Sequence, residues 1–450
     1  MSELIKIRKG LNIRLKGRAE KIVVKTENLK WFGIKPGDFT GLNPKLMVQP
    51  GDEVKAGSPL FHDKYQPDAV FVSPVSGKIS AINRGDRRVI QEVVIESDGL
   101  MTYEQFGKSD PDSLSRDQVV QALLKGGCWP FIRQRPYGTM ARIKDVPKSI
   151  FISGFDTAPL APDLDFVLTG QNSEFQAGVN ALAKLSGGKI FLNIPEESST
   201  LSIFPKIQKV HLTRFAGPHP AGNVGIQIHH LDPINKGEVV WYVNPLDVLI
   251  IGRLFLNGVF DASRVVAVTG SEVLKPRYFK TILGVAVKSL LEKNVTEGDL
   301  RIISGNVLTG TQVNSGGYLG FYDSQITVIP EGKHYEFLGW ALPGLGKFSA
   351  SRTFLSWLFP DREYRLDTNM MGGHRAFVVT GQYEKVLPMK IYPMQLLKSI
   401  LIEDVEQMER LGIYEVSEED FALCEYVCTS KTDVQAIIRK GLDLVRKEMS

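Results

Sequence analysis

Val48-Gln-Pro-Gly-Asp-Glu-Val-Lys-Ala-Gly57, followed by Ser-Pro-Leu-Phe61 and then by Val72-Ser-Pro-Val-Ser-Gly-Lys-Ile79, decides how the first part of this chain folds. Pro50-Gly51-Asp52 and Ser76-Gly77 are turn chemistry, since proline presets φ and glycine admits positive φ. The short apolar stretches that flank them alternate, or nearly so, in the period-two rhythm of strands. Residues 1–111 therefore read as one β unit built from short strands and glycine turns. The full chain has 450 residues, too many for one core. At about 100–200 residues per domain, three or four units are expected.

From residue 112 the pattern changes to helices alternating with strands. Ser115-Arg-Asp-Gln118 has the form of a capping box, Val119, Val120, Leu123 and Leu124 mark one helical face, and Gly126-Gly127 closes the helix. SIFISG (149–154) reads as a buried strand. Ser173-Glu-Phe-Gln176 has the form of a second capping box, with Phe175, Val179, Leu182 and Leu185 on one face and Gly187 past the end. KIFLNI, KVHLTRF, VGIQIHH and EVVWYV read as further strands. Asn244-Pro245 opens a helix, with Asn at the N-cap and Pro in the first turn, and Gly258 ends it. This alternation predicts a Rossmann-like α/β domain over 112–256 with a largely parallel sheet. RVVAVTG (264–270) and RIISGNVLTGTQV (301–313) predict a small β-grasp-like module of the SLBB type over 257–330. The remainder, 331–450, ends in MQLLKSILIEDVEQMERLG and EEDFALCEYVCTSKTDVQAIIRKGLDLVRKE, which predict a mainly helical C-terminal domain. The fold class is thus α/β and multidomain.

Composition excludes several functions. A hydrophobic share of 43% with 23% charged residues is ordinary for a globular chain and excludes wholesale disorder. Lys plus Arg number 54 against 50 Asp plus Glu, and a net charge of +4 is too mild to argue for nucleic acid. Three cysteines make no disulfide framework, which points to a reducing compartment. The opening MSELIKIRKGLNIRLKG lacks the apolar h-region of a signal peptide. No uninterrupted apolar run reaches the ~18 residues that span a bilayer. The nearest, PLDVLIIGRLFLNGVF (245–260), carries Asp247 and Arg253. A cytoplasmic chain without a signal peptide or a transmembrane segment is expected, and docking onto a membrane complex stays open.

The turns at 48–57 and 72–79 resemble the two halves of the biotinyl/lipoyl-type barrel-sandwich hybrid, with its G-D-x-V-x-x-G-x-x-L and S-P-x-x-G turns. In that family a modified lysine lies between the turns. Lys64 sits in the comparable hairpin, but HDKYQPDAVFVSP is longer than the usual tight hairpin, so an ordinary solvated lysine is expected. The chain as a whole resembles the A subunits of the bacterial Na⁺-translocating NADH:quinone oxidoreductases. The resemblance rests on Lys9-Gly-Leu-Asn-Ile-Arg-Leu-Lys-Gly17, VQPGDEVKAGSPLF with VSPVSGKI, Gly126-Gly-Cys-Trp-Pro-Phe-Ile-Arg-Gln-Arg-Pro136, HPAGNVGIQIHHLDP, SGNVLTG and LCEYVCTSK, in this order. That family is similar to the C subunit of Rnf complexes and to the flavin subunit of complex I, whose G-G-x-G-G-A-G-F-P-T loop lets the backbone approach a flavin phosphate. Here the first Gly-Gly remains, but Trp129, Phe131 and Ile132 replace later glycines, so the resemblance implies a lost flavin and NADH site. Rnf-type tails hold iron–sulfur clusters through four thiolates each. Cys424 and Cys428 alone are too few, and they are expected to pack as small apolar groups in a degenerate ferredoxin-like tail, while Cys128 lacks an obvious partner.

The resemblance further implies a translocase subunit that is not catalytic alone. It would be peripheral on the cytoplasmic side of the bacterial inner membrane and held by integral and peripheral partner subunits. Quinone would be the substrate, and flavins and iron–sulfur clusters would reside in the partners. Trp129, Phe131, Arg133 and Arg135 offer aromatic walls and hydrogen-bond donors for a quinone head. Either these groups fill the vacated cofactor cleft as core, or they border a quinone-binding or partner surface. The alternative function is a purely structural docking subunit, with the quinone site in a membrane partner. His219, His229 and His230 lack metal-site spacing and are expected to be satisfied or at the surface, with no metal bound. Asn314-Ser-Gly-Gly-Tyr-Leu-Gly320 is expected to be a turn, and His374 a loop residue. No nucleophile–base pair is evident, so no catalytic residue is assigned.

Overall fold

The Gly-rich turns at the start fold into two small sheets facing each other. A computed structural model describes residues 3–26, 29–199, 202–333, 336–337, 339 and 344–449. One sheet runs in the order Trp31–Ile34, Ile90–Ser97, Gly77–Arg84 and Glu53–Val54, and the other in the order Pro44–Leu46, Pro59–Asp63 and Val70–Val72. Leu60, Phe61, Phe71, Val75, Ile79, Val93 and Ile95 fill the space between them. The turn at Gly77 requires glycine: at φ +151 a Cβ would stand 2.0 Å from the Glu96 carbonyl oxygen. Lys64 is exposed, with its ammonium 5.6 Å from the centre of the Tyr65 ring, at the end of a solvated hairpin.

The α/β domain carries a seven-stranded sheet. Ile150–Ser153, Ile190–Pro195, His211–Ala216 and Val240–Tyr242 are parallel to their neighbours, and Arg133–Arg135 with Thr139–Met140 adds an antiparallel edge. The helices Arg116–Lys125, Asn172–Leu185, Val224–Leu231 and Pro245–Asn257 pack on it. Ser115 and Gln118 form the expected capping box, with bonds of 3.3 and 2.9 Å. The second box does not form. That helix starts two residues earlier, at Asn172 with Gln171 as its N-cap, and Gln176 is held instead by the backbone of Gln208 (2.8 and 3.2 Å).

VGIQIHH is a helix and not the expected strand. Its alternation of Val224, Ile226 and Ile228 arises because Gln227 is also buried, donating to Ser153 Oγ at 2.7 Å and accepting from Asn193 at 2.9 Å. A buried polar residue mimicked the solvent side of a strand. Gly225 permits this helix to press against the carboxylate of Asp420, which would lie 2.4 Å from a Cβ.

The third unit is a six-stranded sheet in the order Thr311–Val313, Leu300–Ser304, Gln325–Pro330, Ser263–Thr269, Arg277–Ile282 and Glu20–Lys25, with the short helix Val287–Leu291. Asn314–Gly320 is a turn, held by Gly316 and Gly317 N–H donating to Asn314. The first residues of the chain depart from the expected unit at 1–111. Leu4–Lys6 extends the α/β sheet parallel to His211–Ala216, and Glu20–Lys25 extends the β-grasp sheet parallel to Arg277–Ile282. The start of the chain therefore stitches two later units together.

Among the described residues the α-helices of the C-terminal part begin at Tyr383, with Tyr383–Val386, Pro393–Leu401, Val405–Arg410, Ala422–Val427 and Val434–Glu448. Between 344 and 382 the one helical turn is Leu355–Leu358, so the expected helical domain is shorter than 331–450. Its Gly and Pro residues and its mixed polar sequence offer no apolar stripe to bury. The tail packs on the outer face of the α/β sheet, where Leu396, Leu397, Ile400, Ile438, Leu442 and Val445 meet Phe151, Phe215 and Ile226 in one core. Among the described residues no helix is long and apolar enough to cross a membrane.

Candidate functional site

A cavity of about 370 Å³ opens where the α/β sheet meets the β-grasp unit. Ser153 and Tyr242 end two of its parallel strands, Asn244 and Pro245 open the following helix, and Gln325 starts a strand of the neighbouring sheet. A crevice beyond the carboxyl ends of parallel strands is the usual ligand position in α/β sheets, because the connecting loops leave the strand ends uncovered there.

Arg133 is the central cation. Its guanidinium carbon lies 4.5 Å from the centre of the Tyr242 ring and 4.3 Å from that of Tyr322, so two aromatic faces clamp it. Nη2 donates to Asn244 Oδ1 at 3.3 Å, while Nε has no partner among the described residues. Beside it lies a buried ion pair. Arg264 Nη2 is 3.1 Å from Asp247 Oδ1, and both side chains are 2% exposed. Arg264 also donates to the carbonyls of Phe321 and Asp323. Asp247 Oδ2 and Arg264 Nε stay without partners among the described residues. Burial pushes the Asp247 carboxyl up to about 6, against the pull of Arg264 and Arg133. The same burial draws Arg264 down. Asp247 is therefore easier to protonate than an ordinary carboxyl, and its Oδ2 is buried without a partner among the described residues. His219 also lines the cavity. Its ring bonds Thr157 Oγ1 at 3.1 Å, and burial lowers it to about 4, so it is neutral at physiological pH.

Of the four residues singled out on the 126–137 loop, only Arg133 reaches this cavity. The reading of the loop as an exposed surface does not hold for Trp129, Phe131 and Arg135. Trp129 and Phe131 are fully buried. The Trp129 indole donates to the Ala141 carbonyl at 2.9 Å and meets Trp241 edge to face, and Phe131 stacks on Phe321. Arg135, 1% exposed, clasps the C-terminal tail through Asp420 (3.1 Å) and Glu419 (2.5 Å). Their burial follows from the glycines before them. A Cβ on Gly126 would meet Leu254 and one on Gly127 would meet Val72, both at 2.5 Å. Gly126 thus serves close packing inside the α/β domain and Gly127 close packing against the barrel, and the residues present do not form a cradle for a flavin phosphate.

Sequence reasoning missed Tyr242, Asp247, Arg264 and Tyr322 as site residues. The available signal was charge inside apolar runs, Asp247 in PLDVLIIG and Arg264 in SRVVAV, since a buried charge needs a partner. Arg253, in the same run as Asp247, is structural: it holds the Ser263 carbonyl at 2.7 Å and Gln171 at 2.8 Å. His229 ties the helix Val224–Leu231 to the tail, bonding Glu415 at 2.6 Å and accepting from the Lys390 N–H at 3.0 Å. His374 is exposed. Cys128, Cys424 and Cys428 are buried free thiols. Cys428 is not merely apolar filling, because its sulfur receives the Tyr383 hydroxyl at 2.9 Å and the Thr432 N–H at 3.3 Å. Among the described residues no three His, Cys, Asp or Glu side chains group as metal ligands would.

Comparison with known proteins agrees with this architecture. Residues 5–98 match the NqrA N-terminal barrel-sandwich hybrid domain, 114–260 the NqrA second alpha/beta domain and 265–315 the NQRA C-terminal domain. The chain is 38% identical to the A subunit of the Na(+)-translocating NADH-quinone reductase of Pasteurella multocida, over 99% of this chain and 100% of that one. It is 39% identical to the A subunit of Histophilus somni over the same shares, and 38% identical to that of Rhodopirellula baltica over 98% of each chain. Identity at this level over whole chains leaves one conclusion: the chain belongs to the family of the A subunits of Na(+)-translocating NADH-quinone reductases.

Proposed function

We propose that this chain is a cytoplasmic-facing subunit of a Na⁺-translocating NADH:quinone reductase. In this reading it contributes to quinone binding and reduction and to assembly, and carries no flavin or iron–sulfur cluster of its own. The observation that carries the reading is Arg133, clamped between Tyr242 and Tyr322 at the wall of the cavity with an unengaged Nε. A volume of about 370 Å³ lies within the range of small-molecule sites, roughly 300–1,000 Å³. A quinone head is flat and apolar with two carbonyl acceptors. Tyr242 and Tyr322 supply ring faces, and Arg133 and Arg264 supply donors toward oxygens that become more negative as electrons arrive. Asp247, whose carboxyl burial raises to about 6, is suited to hand a proton to such an oxygen. Trp129 and Phe131 support the wall from behind, and Arg135 joins it to the tail. Electrons would come from flavin- or cluster-bearing partners, and the bilayer would be reached through integral subunits.

The test is Arg133→Gln in the assembled complex. Quinone reduction should fall at least about tenfold at limiting quinone, the effect of losing one charged hydrogen bond, while NADH oxidation by an artificial acceptor stays unchanged. Undiminished quinone reduction would transfer the quinone site to a membrane partner and leave this chain as a docking subunit.

A further inference from the structure

On the far edge of the α/β sheet, away from the cavity, a second recess of about 250 Å³ is lined by Lys6, Arg8, Lys9, His230 and Lys390 over a floor of Ile7, Pro388 and Met389. Lys6 ends the edge strand Leu4–Lys6, Arg8 and Lys9 continue it, His230 lies in the last turn of the helix Val224–Leu231, and Lys390 comes from the tail. The start of the chain and the tail thus bring cations to one place, beside a histidine whose pKa burial lowers. All five of these polar residues are exposed, whereas Ile7 and Met389 are 4% and 5% exposed. No carboxylate is among the lining residues. Among the described residues none of these four Lys and Arg side chains makes an ion pair, in contrast to the matched cations Arg135, Lys148, Arg264 and Arg301 elsewhere in the chain. His230 Nδ1 bonds the Ile226 carbonyl at 2.8 Å, which leaves Nε2 as the outward nitrogen.

Four uncompensated cations on one recess repel one another and gain from an anion placed among them. We propose that this recess binds a phosphate group, with Arg8 as the forked donor and Lys6, Lys9 and Lys390 as point charges, while the neutral His230 ring at its rim reports on the bound anion. A carboxylate would satisfy fewer of these donors, because it spreads two oxygens in a plane while a phosphate presents oxygens in three dimensions. The phosphate belongs either to the headgroup of an anionic phospholipid or to a soluble phosphate ester. The proposal stands apart from the quinone reading, since no residue is shared with the cavity.

The test uses the full chain with labelled histidine, inorganic phosphate as one probe and vesicles of phosphatidylcholine with or without phosphatidylglycerol as the other. Phosphate should shift the His230 ring resonance saturably, assigned by His230→Gln, and leave that of buried His219 in place. In the triple variant Lys6→Gln, Arg8→Gln, Lys390→Gln the shift should disappear, whereas a control triple at the exposed Lys45, Lys144 and Lys293 should retain it. Retention by phosphatidylglycerol vesicles, weakened about fivefold for each recess cation removed, identifies the lipid headgroup as the source. Phosphate binding without vesicle binding identifies a soluble ester. A His230 resonance that ignores phosphate, or a response equal in the recess triple and the wild type, overturns the site.

Discussion

Single residues in this chain take roles that their type alone does not announce. Trp129 follows a Gly-Gly pair in a loop, yet it is fully buried and donates to Ala141. Trp129→Ala should therefore lower stability by about 3–5 kcal/mol, as for large buried aromatics, with little direct change in quinone affinity at temperatures where the variant is folded. Calorimetry on the purified chain measures it, and a loss below about 1 kcal/mol would mean that the ring is not core. His219 carries a pH signature. Its imidazole is held at about 4 by burial, below the ordinary 6.5. The unfolded chain takes up that proton first, so this contribution to stability is complete above about pH 6.5 and is lost progressively as pH falls toward about 4. Between pH 7 and pH 5 the wild type should lose about 2 kcal/mol more than His219→Gln. Denaturant titrations at the two pH values give the difference, and parallel curves would refute the assignment. The charge-bearing cavity residues were only partly legible. Arg133 stood out beside aromatics, but Asp247 and Arg264 are separated by 17 positions and meet only through the fold.

Elements were legible wherever period and cap agreed. Arg116–Lys125 carries both an apolar face and a working capping box, and Pro245–Asn257 has Asn before it and Gly258 after it in the left-handed conformation. Val224–Leu231 misled because a buried, fully bonded Gln227 interrupts its apolar face at the spacing of a strand. The strand Arg133–Arg135 shows how an element can serve two ends. Arg133 faces the cavity, and Arg135, two residues on along the same strand, anchors the tail through Asp420. Arg135→Ala would leave Asp420 buried without its cation, a loss of about 3–5 kcal/mol. The helices after Tyr383 should then become the first site of proteolysis, while the barrel stays resistant. Cleavage spread evenly over the chain would contradict this division.

At the scale of the whole molecule, the order of units was readable but not the stitching between them. Turn signals and alternating caps mark the barrel, the α/β domain and the β-grasp unit. Pairing of Leu4–Lys6 with His211–Ala216 and of Glu20–Lys25 with Arg277–Ile282 is non-local, and strand periodicity says nothing about which sheet a strand joins. The cavity lies between these two later units and takes its walls from both. The central claim is that quinone is held there, against Arg133, Tyr242 and Tyr322. A photoreactive short-chain quinone, activated in the intact complex and followed by peptide mapping, tests it most directly. Labelling of the peptides around Arg133, Tyr242 or Tyr322, competed by unmodified quinone and reduced in Arg133→Gln, is the predicted result. Competable label confined to a membrane partner, with none on this chain, would contradict it.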